Sequence, residues 1–130
     1  METEIIQQPV IELDETLKED LLNQLEEAGL IVIHCSHSGV GGGIRIWPST
    51  FLIDRDSPAR SKLLHVFGIT MAPQWMYVEP GKTARFTLVF EPLPKTCTVF
   101  DFLEEIPLPG AFCVKGIARN KSDVYRIQIG

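Results

Sequence analysis

A chain of 130 residues, 45% hydrophobic and 22% charged with a net charge of −5, is sized for one domain around one core and is too apolar to stay disordered. No stretch approaches the roughly 20 apolar residues that a membrane helix needs, and three cysteines at unrelated spacings, Cys35, Cys97 and Cys113, do not read as a disulfide framework. The opening METEIIQQPV has acidic residues where a secretory signal needs basic ones, so a cytoplasmic setting with reduced thiols is expected.

The net charge hides an asymmetry. Residues 1–29 hold nine carboxylates against Lys18 alone, a local balance of −8 that leaves +3 for the remainder. Such a split fits an acidic segment lying against a basic body, a body that meets an anionic partner, or a solvated acidic helix face. Within it, Leu17, Leu21, Leu22, Leu25 and Ala28 recur at spacings of three and four, the stripe of an amphipathic helix over about residues 14–28. Asp14 or Thr16 caps its start and Gly29 supplies a left-handed stop. Residues 1–29 thus read as an acidic segment packed on, or part of, the same domain as residues 30–130. Before the helix, IIQQPVIEL reads as an extended edge segment, because Pro9 forbids a central strand.

LIVIHCSH, residues 30–37, reads as a buried strand with Ile31, Ile33, Cys35 and His37 on one face and Leu30, Val32 and His34 on the other. SGVGGG follows as a loop. It is not a phosphate loop: Gly43 runs into Ile44 rather than Lys-Ser/Thr, and isoleucine holds positions 44 and 46 where a GxGxxG fingerprint needs glycine.

From Ile44 the chain becomes a series of short strands separated by turn residues. In IRIWPSTFLID, Ile44 and Ile46 oppose Arg45 and Trp47, and Pro48 predicts an edge strand or one that changes sheets. DRDSPAR is a polar turn, and KLLHVFGIT a strand with a bulge at Gly68. Glu79-Pro80-Gly81-Lys82 has the central residues of a type II turn. Residues 85–91 alternate Phe86, Leu88 and Phe90 against Arg85, Thr87, Val89 and Glu91. Pro92 and Pro94 stop that strand, with Leu93 as a plug at the core rim. Thr96–Phe102 resumes with Phe100 and Phe102 on one face, and AFCVKGIA and DVYRIQI close the chain around the turn 119–122. Seven or eight short strands predict a mainly β fold, an antiparallel sandwich with one N-terminal helix, rather than a parallel sheet with crossover helices.

The string FTLVFEPLPKTCTVFDFLEE followed by GAFCVKGI resembles uncharacterised bacterial immunoglobulin-like β-sandwich domains of the Bacteroidetes type, some of which precede a thioredoxin-like domain. The resemblance rests on Leu93-Pro94, the block Phe100-Asp101-Phe102-Leu103-Glu104, Phe112, Gly116-Ile117 and the turn-and-strand VEPGKTARFTL. It implies an immunoglobulin-like sandwich and supplies no catalytic residues.

Four groups of residues are candidate sites. Cys35 and His37 share a strand face about 7 Å apart, within reach of one metal ion if His65, Cys97 or Cys113 complete the set; the ordinary alternative is buried thiols and strand-end histidines. Cys35 beside a histidine and a glycine-rich loop also fits a thiol nucleophile, but no third group orients the histidine. Asp101, Glu104 and Glu105 read as solvent-facing acids rather than an acid/base pair. Trp47, Trp75 and Tyr77 line a ligand groove if exposed, and core or rim if not. The basic stretch Lys115, Arg119, Lys121 and Arg126 with Tyr125 offers a docking surface for an anionic partner, although the acidic balance of the chain argues against a nucleic-acid binder.

The reading that follows is a non-enzymatic interaction module without a cofactor, binding a protein partner or itself through a sheet edge or the loops. Its binding residues would include Trp47, Trp75, Tyr77, Arg119 and Lys121. The alternative is a small metal- or thiol-dependent hydrolase centred on Cys35 and His37, with His65 and Cys113.

Overall fold

The computed structural model describes residues 19–21, 23–24, 28–38 and 41–129. Nine strands follow in chain order: β1 (Ile31–Ser38), β2 (Gly42–Ile44), β3 (Thr50–Asp54), β4 (Arg60–Phe67), β5 (Met76–Val78), β6 (Thr83–Phe90), β7 (Val99–Glu104), β8 (Cys113–Ala118) and β9 (Val124–Ile129). Seven form one sheet in the order β8-β7-β3-β4-β6-β1-β9, and β2 and β5 form a small second sheet. Residues 19–21 and 23–24 are helical, and Ala28 N–H donates to the Gln24 carbonyl at 3.1 Å where Gly29 turns the chain out at φ 75°. The rest of the expected helix, and the segment around Pro9, lie outside the described residues. Among the described residues no helix is long and apolar enough to cross a membrane.

The alternation read from the sequence decides which side chains meet. Ile31, Ile33 and Cys35 from β1, Ala84, Phe86, Leu88 and Phe90 from β6, and Phe100 and Phe102 from β7 all enter one core cluster. Leu93 is buried between its prolines as expected. Glu79 accepts from Lys82 N–H at 3.1 Å with Gly81 at φ 81°, the type II turn that launches β6.

Flat, a sheet of seven strands would span about 29 Å between its outermost strands, taking roughly 4.8 Å per step. Yet those two strands, β8 and β9, are consecutive in sequence and joined only by residues 119–123. The sheet must therefore roll. Phe100 on β7 and Tyr125 on β9 meet edge to face across the interior, ring centroids 5.1 Å apart, and Phe90 meets Phe102 in the same way at 6.0 Å.

Four details differ from the sequence reading. The sheet is mixed, because β1 pairs with β9 in parallel, Val32 opposite Val124 through His37 opposite Ile129. The last two strands are not a ladder-paired hairpin, since β9 bonds to β1 and β8 to β7. Gly68 lies just past the end of β4 at φ 81°, and the register shift of that strand falls between Leu63 and His65. Glu104 does not face water; it is 3% exposed, because it continues the inward alternation of Phe100 and Phe102. Pro48 behaves as expected, and the chain leaves the small sheet after β2 and enters the large one at β3.

Candidate functional site

The exposed aromatic residues gather on the small sheet. In the β2–β5 ladder, Gly42 faces Val78, Gly43 faces Tyr77 and Ile44 faces Met76. Ile44 is buried, and Met76 and Val78 pack against the core. The alternate positions therefore point outward, and Tyr77 is 69% exposed. Trp75, two residues earlier and on the same side, is 61% exposed. Together with Gly43 they line a shallow open depression. Gly43 is needed there for space rather than for backbone freedom: a Cβ at that position would lie 2.8 Å from Cε3 of the Trp75 ring.

Arg45 joins the two tryptophans. Its guanidinium lies 3.8 Å from the Trp75 ring centroid and 5.3 Å from that of Trp47, in reach for cation–π attraction to both. Nη1 donates to the Pro73 carbonyl at 3.0 Å, while the buried Nε has no hydrogen-bond partner. The loop that carries Trp75 is fastened to this strand. Ile46 N–H donates to Thr70 at 2.9 Å, Ala72 N–H to Ile46 at 2.8 Å, and the Thr70 hydroxyl to the Gln74 carbonyl at 2.9 Å; the Ala72–Pro73 bond is cis.

Glu104 supports the same region from inside. Its Oε1 accepts Phe112 N–H and its Oε2 accepts Trp47 N–H, each at 3.1 Å. Burial raises its pKa, opposed by those two N–H donors and by the charge of Arg45. A carboxylate committed to two backbone donors holds Trp47 in place and is not poised for acid/base work. Asp101 and Glu105 are paired as structural acids: Asp101 Oδ1 accepts from Arg55 at 3.0 Å and from Gly116 N–H at 2.8 Å, and Glu105 meets Arg60 at 2.7 Å.

The residues of the thiol and metal reading point in different directions. Cys35 is inside the core, with Sγ 3.8 Å from the Ile33 carbonyl, and burial pushes its thiol up to about 12. A thiol that high is almost wholly protonated at neutral pH and is a poor nucleophile. His37 Nδ1 donates to the Ile129 carbonyl at 2.9 Å, since a carbonyl only accepts, and its ring leans on Phe112, centroids 5.7 Å apart. His65 and Cys113 are both exposed. Among the described residues no group of three or more His, Cys, Asp or Glu side chains stands together as a metal-holding set. All three cysteines are free.

Of the basic residues around the last turn, Lys121 is exposed. Arg119 is engaged instead in a structural knot: it bonds Asp123 through Nε at 2.6 Å and Nη2 at 3.1 Å, and donates Nη1 to the carbonyls of Pro94 at 2.8 Å and Cys97 at 3.2 Å.

A second knot gives a pH prediction. Asp54 receives the Ser57 hydroxyl at 2.7 Å and Asp56 N–H at 3.0 Å, and these bonds, Ser57 first, hold its carboxyl below the ordinary 3.8. A pKa lower folded than unfolded adds stability that is present above the unfolded value and lost as pH falls through the folded one. Asp54→Asn should therefore be less stable than wild type near pH 7, and the gap in urea midpoint should close on acidification below about pH 4. A gap that stays constant over that range would refute the assignment.

A comparison of the chain with protein-family models, curated proteins and solved structures found no significant match. The functional reading therefore rests on the geometry. Sequence reasoning named Trp75 and Tyr77 but missed Arg45 and Gly43. The available signal was Arg45 and Trp47 on one face of IRIW, which predicts a stacked pair once that face is known to be exposed.

Proposed function

We propose that the protein is a non-enzymatic interaction module that binds a protein partner through Trp75 and Tyr77. The observation that carries this reading is a pair of exposed aromatic rings, side by side on a fastened two-stranded sheet, with Arg45 stacked on one of them. Tryptophan, tyrosine and arginine dominate binding energy at protein interfaces, because they offer large rigid area with a polar handle. The protonated, core-buried Cys35 and the divergent His37, His65 and Cys113 favour this reading over a thiol- or metal-dependent hydrolase. A cytoplasmic setting belongs to the proposal and is supported by the three free cysteines.

The immunoglobulin-like class is proposed on the quoted motifs. It draws support from Tyr125, whose hydroxyl accepts Asn120 N–H at 3.0 Å, as a tyrosine corner does. Continuous hydrogen bonding from β8 to β9 departs from two separate sheets. Self-association through an edge is the lesser route: β8 carries Lys115, and its register with β7 shifts next to Gly116 at φ 73°, both features that discourage strand addition.

The test begins with partners retained from cell extract by immobilised wild-type protein. Each purified partner is then titrated against wild type and against Trp75→Ala/Tyr77→Ala. Loss of about 30-fold or more in affinity is expected for a two-residue hot spot, with the far-UV circular dichroism unchanged. Equal affinity of the folded variant for every such partner would overturn the proposal.

A further inference from the structure

The outer face of β9-β1-β6 carries two side chains whose burial the core does not explain. Val32 and Val89 sit opposite each other in the β1–β6 register, with Val124 opposite Val32 on the other side. Their strand neighbours Ile31, Ile33, Leu88 and Phe90 point into the core cluster, so by alternation both valines point away from it. Neighbouring strands shield an outward valine on its flanks but not from above. Exposures of 2% for Val32 and 0% for Val89 therefore require a cover.

We infer that residues 14–28 of this chain are that cover, docked as an amphipathic helix with its leucine stripe on Val32 and Val89. Four observations identify the occupant. Within the described helical residues Leu21 is half-buried, whereas Glu19, Asp20, Asn23 and Gln24 are exposed, so the stripe meets something. Only Gly29 and Leu30 separate the helix from β1, and Gly29 is held where a Cβ would lie 3.9 Å from Cγ of Pro92, just past the end of β6; the helix thus begins its course beside the two strands it must cover. A helix of fifteen residues is about 22 Å long, which matches the roughly 26 Å of the eight-residue strand beneath it. The charge also fits. Arg126 on β9 and Arg85 on β6 are exposed at outward positions of the same face, and the segment 1–29 brings its balance of −8.

The test places a thiol under the cover, in the full chain with Cys113→Ser removing the exposed native cysteine. In Val89→Cys the new thiol should react slowly with a soluble disulfide reagent. Adding Leu21→Asp and Leu25→Asp should accelerate the reaction by at least about tenfold, and high salt should accelerate it in the parent by weakening the charge pairing. A fast parent, or an equally slow folded triple variant, overturns the inference. A parent rate that slows as protein concentration rises assigns the cover to a second copy and also overturns it. Should the triple variant lose its strand signal in circular dichroism, a nitroxide at Asn23→Cys decides the matter. Broadening of the β1, β6 and β9 amides with β3 and β7 spared supports the docked helix, and absent or uniform broadening refutes it.

Discussion

Phe100→Ala should be among the most damaging single substitutions in this chain, with a loss of about 3–5 kcal/mol of unfolding free energy. Phe100 is fully buried and does two things at once: it fills the core beneath β7, and its ring meets Tyr125 edge to face across the rolled sheet. Truncation removes the transfer energy of the ring, leaves a cavity, and breaks an aromatic pair worth roughly 0.5–1.5 kcal/mol beyond its area. Phe100→Leu keeps an apolar group of moderate volume and should lose well under half as much. Urea unfolding of the two variants, with m-values compared, checks both numbers. An alanine variant within about 1.5 kcal/mol of wild type would mean that the sheet is not closed by this contact.

Arg119→Ala is the second large effect expected, about 2–3 kcal/mol. Arg119 and Asp123 side chains are 15% and 20% exposed, so solvent screens the pair only in part. Removing the guanidinium leaves the Asp123 carboxylate, which also accepts the Tyr125 hydroxyl at 2.8 Å, without its cation. It leaves the Pro94 and Cys97 carbonyls without their donor as well. Burial pushes the Tyr125 phenol up to about 12, so that hydroxyl stays a donor at neutral pH. Asp123 has φ 56°, a left-handed position that aspartate tolerates better than most residues. Arg119→Lys separates charge from geometry. Lysine restores the cation but not the planar fork that spans two carboxylate oxygens and two carbonyls, so thermal unfolding should place it between alanine and wild type. Full recovery by lysine would show that charge alone suffices.

Those two contacts mark how far the sequence could be read. The alternation of residues 85–91, the Pro80–Gly81 turn, the Leu93 plug and the sheet change at Pro48 were legible, because each depends on local geometry that residue types dictate. Periodicity tells which face a residue takes and not which strand it meets, so the parallel pairing of β1 with β9 and the rolling of the sheet were not legible. Glu104 shows the same boundary: its position in the alternation pointed inward with Phe100 and Phe102, while its charge argued for solvent. The two backbone donors that reconcile them, from Trp47 and Phe112, come from distant segments. The aromatic site was half legible, since Trp75 and Tyr77 were named while the exposure that separates a rim from a core depends on tertiary packing.

The parallel pairing of β1 with β9 sets the order of events during synthesis. His37 and the Ile129 carbonyl it bonds are 92 residues apart in sequence, so at about 5–20 residues per second β1 leaves the ribosome several seconds before β9 exists. During that interval its Ile31, Ile33 and Cys35 edge lacks one of its two partner strands. Non-local pairing of this kind also slows folding, because the chain must close a long loop before the contact rewards it. A nascent chain stalled before residue 124 should therefore expose a strand edge that the finished protein covers, and would be the form most in need of a chaperone.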